Sequence, residues 1–126
     1  TSITDSYALL KALSMNENFK KDETTIKMIA NRVDSEAEGR SLYEKLNVVV
    51  MKFLEINMQY LGAVPQDNNI KKAIMKQKPV SMIFPNATSS RHFEEIATRL
   101  MSESADVPVH KRGIRGYLRS VFAKNM

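Results

Sequence analysis

Apolar positions along this chain follow two rhythms that alternate. Tyr7 and Leu10, with Leu13 next in register, recur at helical spacing behind a Ser2–Asp5 pair. That pair has the spacing of a capping box and predicts a first helix to about Met15. "NENFKKDE" is a polar connection, and "TTIKMIAN" reads as a strand ending near Asn31. A second capping box, Ser35 to Glu38, opens the longest helix, with Leu42, Leu46, Val49, Val50, Phe53 and Leu54 on one stripe. "MQYLGAV" is a second short strand, stopped by Pro65, which has no amide to give a ladder. A third helix starts after Asp67 and is expected to bury Ile70, Ala73 and Ile74. Pro79 and Pro85 bracket what reads as an irregular link. Thr88, Ser89 and Ser90 then cap a fourth helix, with Phe93, Ile96, Ala97 and Leu100 as its core face.

Strand, long helix, strand is a βαβ unit, which calls for an α/β fold with a parallel sheet and a right-handed crossover. Two strands are too little sheet for that class, because parallel sheets lie buried under helices on both faces. The expectation is therefore a portion of a larger α/β protein.

Composition adds little to this until charge is placed along the chain. The 126 residues contain no cysteine, so disulfides, thiolate metal sites and a cysteine nucleophile are excluded. No apolar run approaches the ~18 residues of a membrane-spanning helix, and the opening "TSITD" shows no signal peptide. Lys and Arg number 19 against 14 acids, yet from Thr1 to Asp106 the two signs balance. The net charge of +5 therefore sits on Lys111, Arg112, Arg115, Arg119 and Lys124, in the closing "HKRGIRGYLRSVFAKNM".

In that tail Ile114, Tyr117, Leu118, Val121 and Phe122 share one helical stripe, flanked by Arg112, Arg115 and Arg119. A nucleic-acid arm gains nothing from the aligned apolar residues, whereas a helix lying on an anionic membrane uses both. Gly113 and Gly116 each cost about 1 kcal/mol in a helix, so the tail is expected to fold on binding rather than in water. The remaining alternatives are packing on its own domain or on a protein partner. The chain is thus divided into residues 1–106, the α/β portion, and 107–126, a tail expected to target a membrane.

Catalytic chemistry is not legible. The glycines Gly39, Gly62, Gly113 and Gly116 form no phosphate loop, and His92 and His110 have no metal-like spacing, so neither a catalytic nor a metal site is read. What remains are two strand-end loops, "IANRVD" and "GAVPQDNNIKKA", placed where open α/β sheets bind ligands. Asn31 offers a donor and an acceptor that match the edge of adenine, or else serves as a turn residue. Pro65 offers a flat apolar surface. Asp67 can accept from a base or ribose, or simply cap the third helix.

"TSITDSYALLKAL", "NRVDS" and "LGAVPQDNNIKKAIMKQKPVSMIFPNATSSRHFEEIATRL" together resemble the C-terminal half of the MinD/ParA deviant P-loop ATPases. The resemblance covers nearly the whole chain and is strongest to the flagellar number and placement regulators, the FlhG (YlxH, FleN) group. Its most specific parts are the Thr-Ser-Ile-Thr-Asp helix start and the Val-Pro-x-Asp loop, with Ala73, Gln77, Pro79, Pro85, Asn86 and Ser90 favouring the flagellar group. It implies an ATP-dependent dimerising switch, with ATP or ADP and Mg bound by the full-length parent and none by this portion alone. Asn31, Pro65 and Asp67 then line the adenine pocket, with Gln66 at the variable place between. The family's phosphate loop and switch carboxylates lie in a half absent from this sequence. The implied partners are a second copy, the anionic inner leaflet, a signal-recognition-type GTPase of flagellar assembly and basal-body components, and the implied location is cytoplasmic, peripheral on the inner membrane face. The rivals are a partitioning ATPase that binds DNA and a non-enzymatic scaffold.

Overall fold

The computed structural model describes residues 2–103. Its order is α1 (Ser2–Ser14), β1 (Lys27–Val33), α2 (Glu36–Leu54), β2 (Gln59–Pro65), α3 (Asn68–Met75), α4 (Val80–Ile83) and α5 (Thr88–Ser102). The expected α/β class holds. The Gln59 amide donates to the Ile26 carbonyl at 2.9 Å, joining the starts of the two strands, so β1 and β2 run parallel in a two-stranded sheet. By its internal packing the chain divides after Ala63 into two compact units.

In the first unit α2 covers the sheet and α1 packs on α2. Leu46, Val50 and Leu54 repeat every four residues and close with Leu10, Ile56 and Met58 into one apolar core. The buried row is narrower than the sequence stripe: Val49 and Phe53 lie a step around α2, beyond what a two-stranded sheet can cover, and are 38% and 63% exposed. Two polar ties fasten α2 to the approach of β2. Tyr43 donates its hydroxyl to the Met58 carbonyl at 2.7 Å, and Asn47 Oδ1 accepts from the Met58 amide at 2.9 Å.

The first turn of α2 lies so close to the sheet that only glycine fits at position 39. A Cβ on Gly39 would stand 2.8 Å from the Ala63 Cβ and 2.8 Å from the Tyr60 hydroxyl. Beside it Tyr43 stacks on Tyr60 with ring centroids 5.2 Å apart, and the Arg40 guanidinium lies 4.9 Å from the Tyr60 centroid. The capping box is present but offset. Ser35 Oγ accepts from the Glu38 amide at 3.1 Å, while Glu38 Oε2 accepts from the amide of Asp34 at 2.6 Å, one residue earlier than in the usual reciprocal pair.

Several local expectations are corrected. The helix α1 begins at Ser2 itself, so Ser2 is helical rather than the cap that the sequence suggested. In the second unit Ile74 is 67% exposed; α3 has only eight residues, and its inward positions are Ala73 and, half-covered, Ile70. The stretch between Pro79 and Pro85 is not irregular but contains α4, with Pro79 at its N-cap, where a proline costs the helix no hydrogen bond. On α5 Ile96 is buried and Ala97 half-buried, but Phe93 and Leu100 remain 41% and 46% exposed. Thr88, Ser89 and Ser90 are not the cap of α5: they are its first three residues, and Ala87 stands at the cap position without a side-chain bond.

Candidate functional site: the β1 end and the Pro65–Asp67 loop

Asn31 was expected to end the first strand, but β1 runs on through Arg32 to Val33. Arg32 takes φ 59, a left-handed backbone angle within the strand, and this breaks the simple alternation of faces. Ala30 and Val33 are both buried while Asn31 and Arg32 between them are both exposed. The Asn31 amide carries no hydrogen bond among the described residues, so its donor and acceptor are uncommitted. Asn31 belongs to the first unit, and Pro65, Gln66 and Asp67 belong to the second.

Those three residues are brought together by the chain itself, at the junction of β2 and α3. Pro65 is the last residue of β2 and half-buried; Gln66 is exposed. Asp67 takes an extended conformation and caps α3, its Oδ1 accepting from the Asn69 amide at 2.9 Å. Its other oxygen, Oδ2, accepts from the Ser89 amide at 3.0 Å, in the first turn of α5. One carboxylate thus supplies the missing partner at two helix starts, which explains how α5 begins at Thr88 although Ala87 before it has no side chain to cap it. Both amides favour the ionised form, the Ser89 amide most, so the carboxyl lies below its ordinary 3.8, with partial burial opposing them.

Around this carboxylate the serines are structural. Ser90 Oγ donates to the Phe84 carbonyl at 2.6 Å and ties the end of α4 to α5. Ser89 is wholly buried, and its hydroxyl is near enough to Asp67 to favour the charge, yet it forms no hydrogen bond of good geometry. Sequence reading missed the Asp67–Ser89 bond, because nothing local signals a partner 22 residues away. The cap reading of Asp67 therefore holds. Each carboxylate oxygen retains a lone pair for a further donor. In the first unit Asn31 offers an exposed carboxamide, and in the second Pro65 offers a half-buried ring and Asp67 an acceptor.

The tail residues named above, Arg112, Ile114, Arg115, Tyr117, Leu118, Arg119, Val121 and Phe122, lie outside the described residues. None of the described helices is long and apolar enough to cross a membrane.

No family model matches the chain. It is similar to the antiactivator FleN of Pseudomonas aeruginosa, 37% identical over 113 residues, covering 90% of this chain and 38% of that protein. It is also similar to the flagellum site-determining protein YlxH of Helicobacter pylori, 32% identical over 122 residues, covering 94% of this chain and 40% of that protein. The chain therefore spans about two-fifths of the length of these relatives, which fits a C-terminal portion of such a protein. Coverage of 94% also means that the second match extends into the basic tail.

Proposed function

Taking as premise that this chain is related along nine-tenths of its length to the MinD-like flagellar number and placement regulators, we propose that it is the C-terminal part of such an ATPase. In this reading the whole protein sets flagellar number or position by dimerising with ATP and associating reversibly with the membrane. This portion supplies the adenine-side contacts and the membrane tail. The phosphate-binding chemistry belongs to the part of the relatives that this chain does not span.

Asn31, Pro65, Gln66 and Asp67 would hold the base: Asn31 by its uncommitted amide, Pro65 by apolar contact, Asp67 as an acceptor already fixed in place, and Gln66 from its exposed position between them. The observation that carries the reading is the Asp67 carboxylate bridging two helix starts. A loop held from both sides keeps a ligand-contacting residue in one geometry, which lowers the ordering cost of binding. A nucleotide bound there would bring triphosphate and Mg chemistry to the complete protein.

The tail supplies the membrane half of the proposal and is directly testable. Sedimentation with anionic vesicles is expected for the full chain, to be lost on truncation after Asp106 and on Leu118→Glu, and to fade with neutral lipid. Equal sedimentation by the truncated form would sink the tail's role. Preferential binding to DNA over vesicles would favour the partitioning ATPases instead.

A further inference from the structure

Residues 1–106 are neutral in sum, but their charge is not spread evenly. From Asn68 to Phe93 there are five basic residues, Lys71, Lys72, Lys76, Lys78 and Arg91, and no acid. The four lysines fall on α3 and the turn that ends it, and all four are exposed. None forms an ion pair among the described residues. Only the Lys76 ammonium has a near neighbour of note, the Phe84 ring at 5.9 Å.

Large apolar side chains stand uncovered among these cations. Ile74 is 67% exposed, Met75 85%, and Met82 on the adjoining α4 is 72% exposed. Met75 follows Lys71 by four positions and Lys72 by three, so it stands between them on the outward face, turned away from buried Ala73. The helix ends with Gln77 at φ 53 and the Lys78 amide donating back to the Ala73 carbonyl at 3.1 Å. That reversal keeps Lys78 beside the last turn rather than letting the chain run away from it.

We propose that the α3–α4 surface is a second contact with an anionic bilayer, in which Lys71, Lys72 and Lys78 meet lipid phosphates while Met75 and Ile74 enter the headgroup region. Charge alone would suit any polyanion. The uncovered methionine and isoleucine at the centre of the charge select a surface that has both phosphate and hydrocarbon to offer. Methionine is flexible enough to settle into such an irregular boundary. The proposal takes its partner from the membrane reading above but does not depend on the tail.

The test is sedimentation of the full 126-residue chain with vesicles of phosphatidylglycerol and phosphatidylcholine. The variants are Lys71→Glu with Lys72→Glu, Met75→Gln, and truncation after Asp106, each checked by thermal melting; Lys71→Gln with Lys72→Gln replaces the charge reversal if that melts early. The lysine variant should lower partitioning by at least about tenfold. Met75→Gln should lower it by a smaller but measurable factor, and any residual binding of the truncated chain should be removed by the lysine change. Lysine variants that bind like wild type while truncation abolishes binding would overturn this proposal and leave the tail reading standing. Loss with the lysines but none with Met75→Gln would also overturn it, leaving a purely electrostatic attraction to the charged vesicle surface with no side chain entering the headgroups. If no form sediments, both readings fall together.

Discussion

In the first unit Val50 is wholly buried among Leu46, Ile56 and Met58, whereas in the second a serine, Ser89, is as deeply buried as any side chain. The first unit is held by apolar side chains from two helices and the link that leads into β2. The second has, among its described residues, three helices of eight, four and fifteen residues, joined by an aspartate that caps two of them and a serine hydroxyl on a carbonyl. Apolar burial is indifferent to pH and to nearby charge, while a shared carboxylate responds to both. The unit that carries Pro65, Gln66 and Asp67 is thus the one whose cohesion protonation of a single carboxylate can alter.

That contrast can be broken in four places, taken from the largest effect down. Leu46→Ala should cost about 3 kcal/mol in thermal or urea unfolding, because it opens a cavity where nothing small can settle. Asp67→Ala removes two helix caps at once and should cost about 2 kcal/mol, with Asp67→Asn costing less because one acceptor remains.

The Asp67 effect also has a pH signature. Because its folded pKa is depressed, the carboxylate's contribution is fully present above the ordinary 3.8 and is lost as pH falls through the lower folded value. Acid unfolding of Asp67→Asn should be correspondingly flatter than wild type. Equal slopes would mean that the charge on Asp67 does not hold the second unit.

Gly39→Ala should cost about 1.5 kcal/mol, since its methyl would overlap the Ala63 Cβ, which has nowhere to swing. The smallest effect is expected at the Lys21–Glu55 pair, 3.1 Å apart on the surface with Glu55 83% exposed. Lys21→Ala should change stability by less than about 0.5 kcal/mol.

Where the signal was local, it could be read directly. Ser35 and Asp67 cap helices as their positions suggested, and the alternation of strand and helix gave the α/β class. What escaped was set by tertiary context. Val49 and Phe53 fit the helical stripe, but a two-stranded sheet leaves them uncovered. Thr88, Ser89 and Ser90 look like a cap, yet α5 takes its cap from Asp67, which sequence spacing cannot reveal. Asn31 was placed correctly near a strand end, but the two further residues of β1 depend on Arg32 accepting an angle that sequence patterns assign to glycine. For the loop Pro65, Gln66 and Asp67 the sequence was sufficient, because contiguity alone brings those residues together.

The central claim is that Asn31 and the Pro65–Asp67 loop serve an adenine nucleotide. The most direct test is titration of a fluorescent ATP analogue with Mg into the protein in its longest native form, comparing wild type with Asn31→Ala. Saturable binding is expected, weakened about tenfold by Asn31→Ala, the value of one good hydrogen bond, and unchanged by Lys71→Glu. Binding indifferent to Asn31→Ala, or absent from the native protein, would contradict the claim.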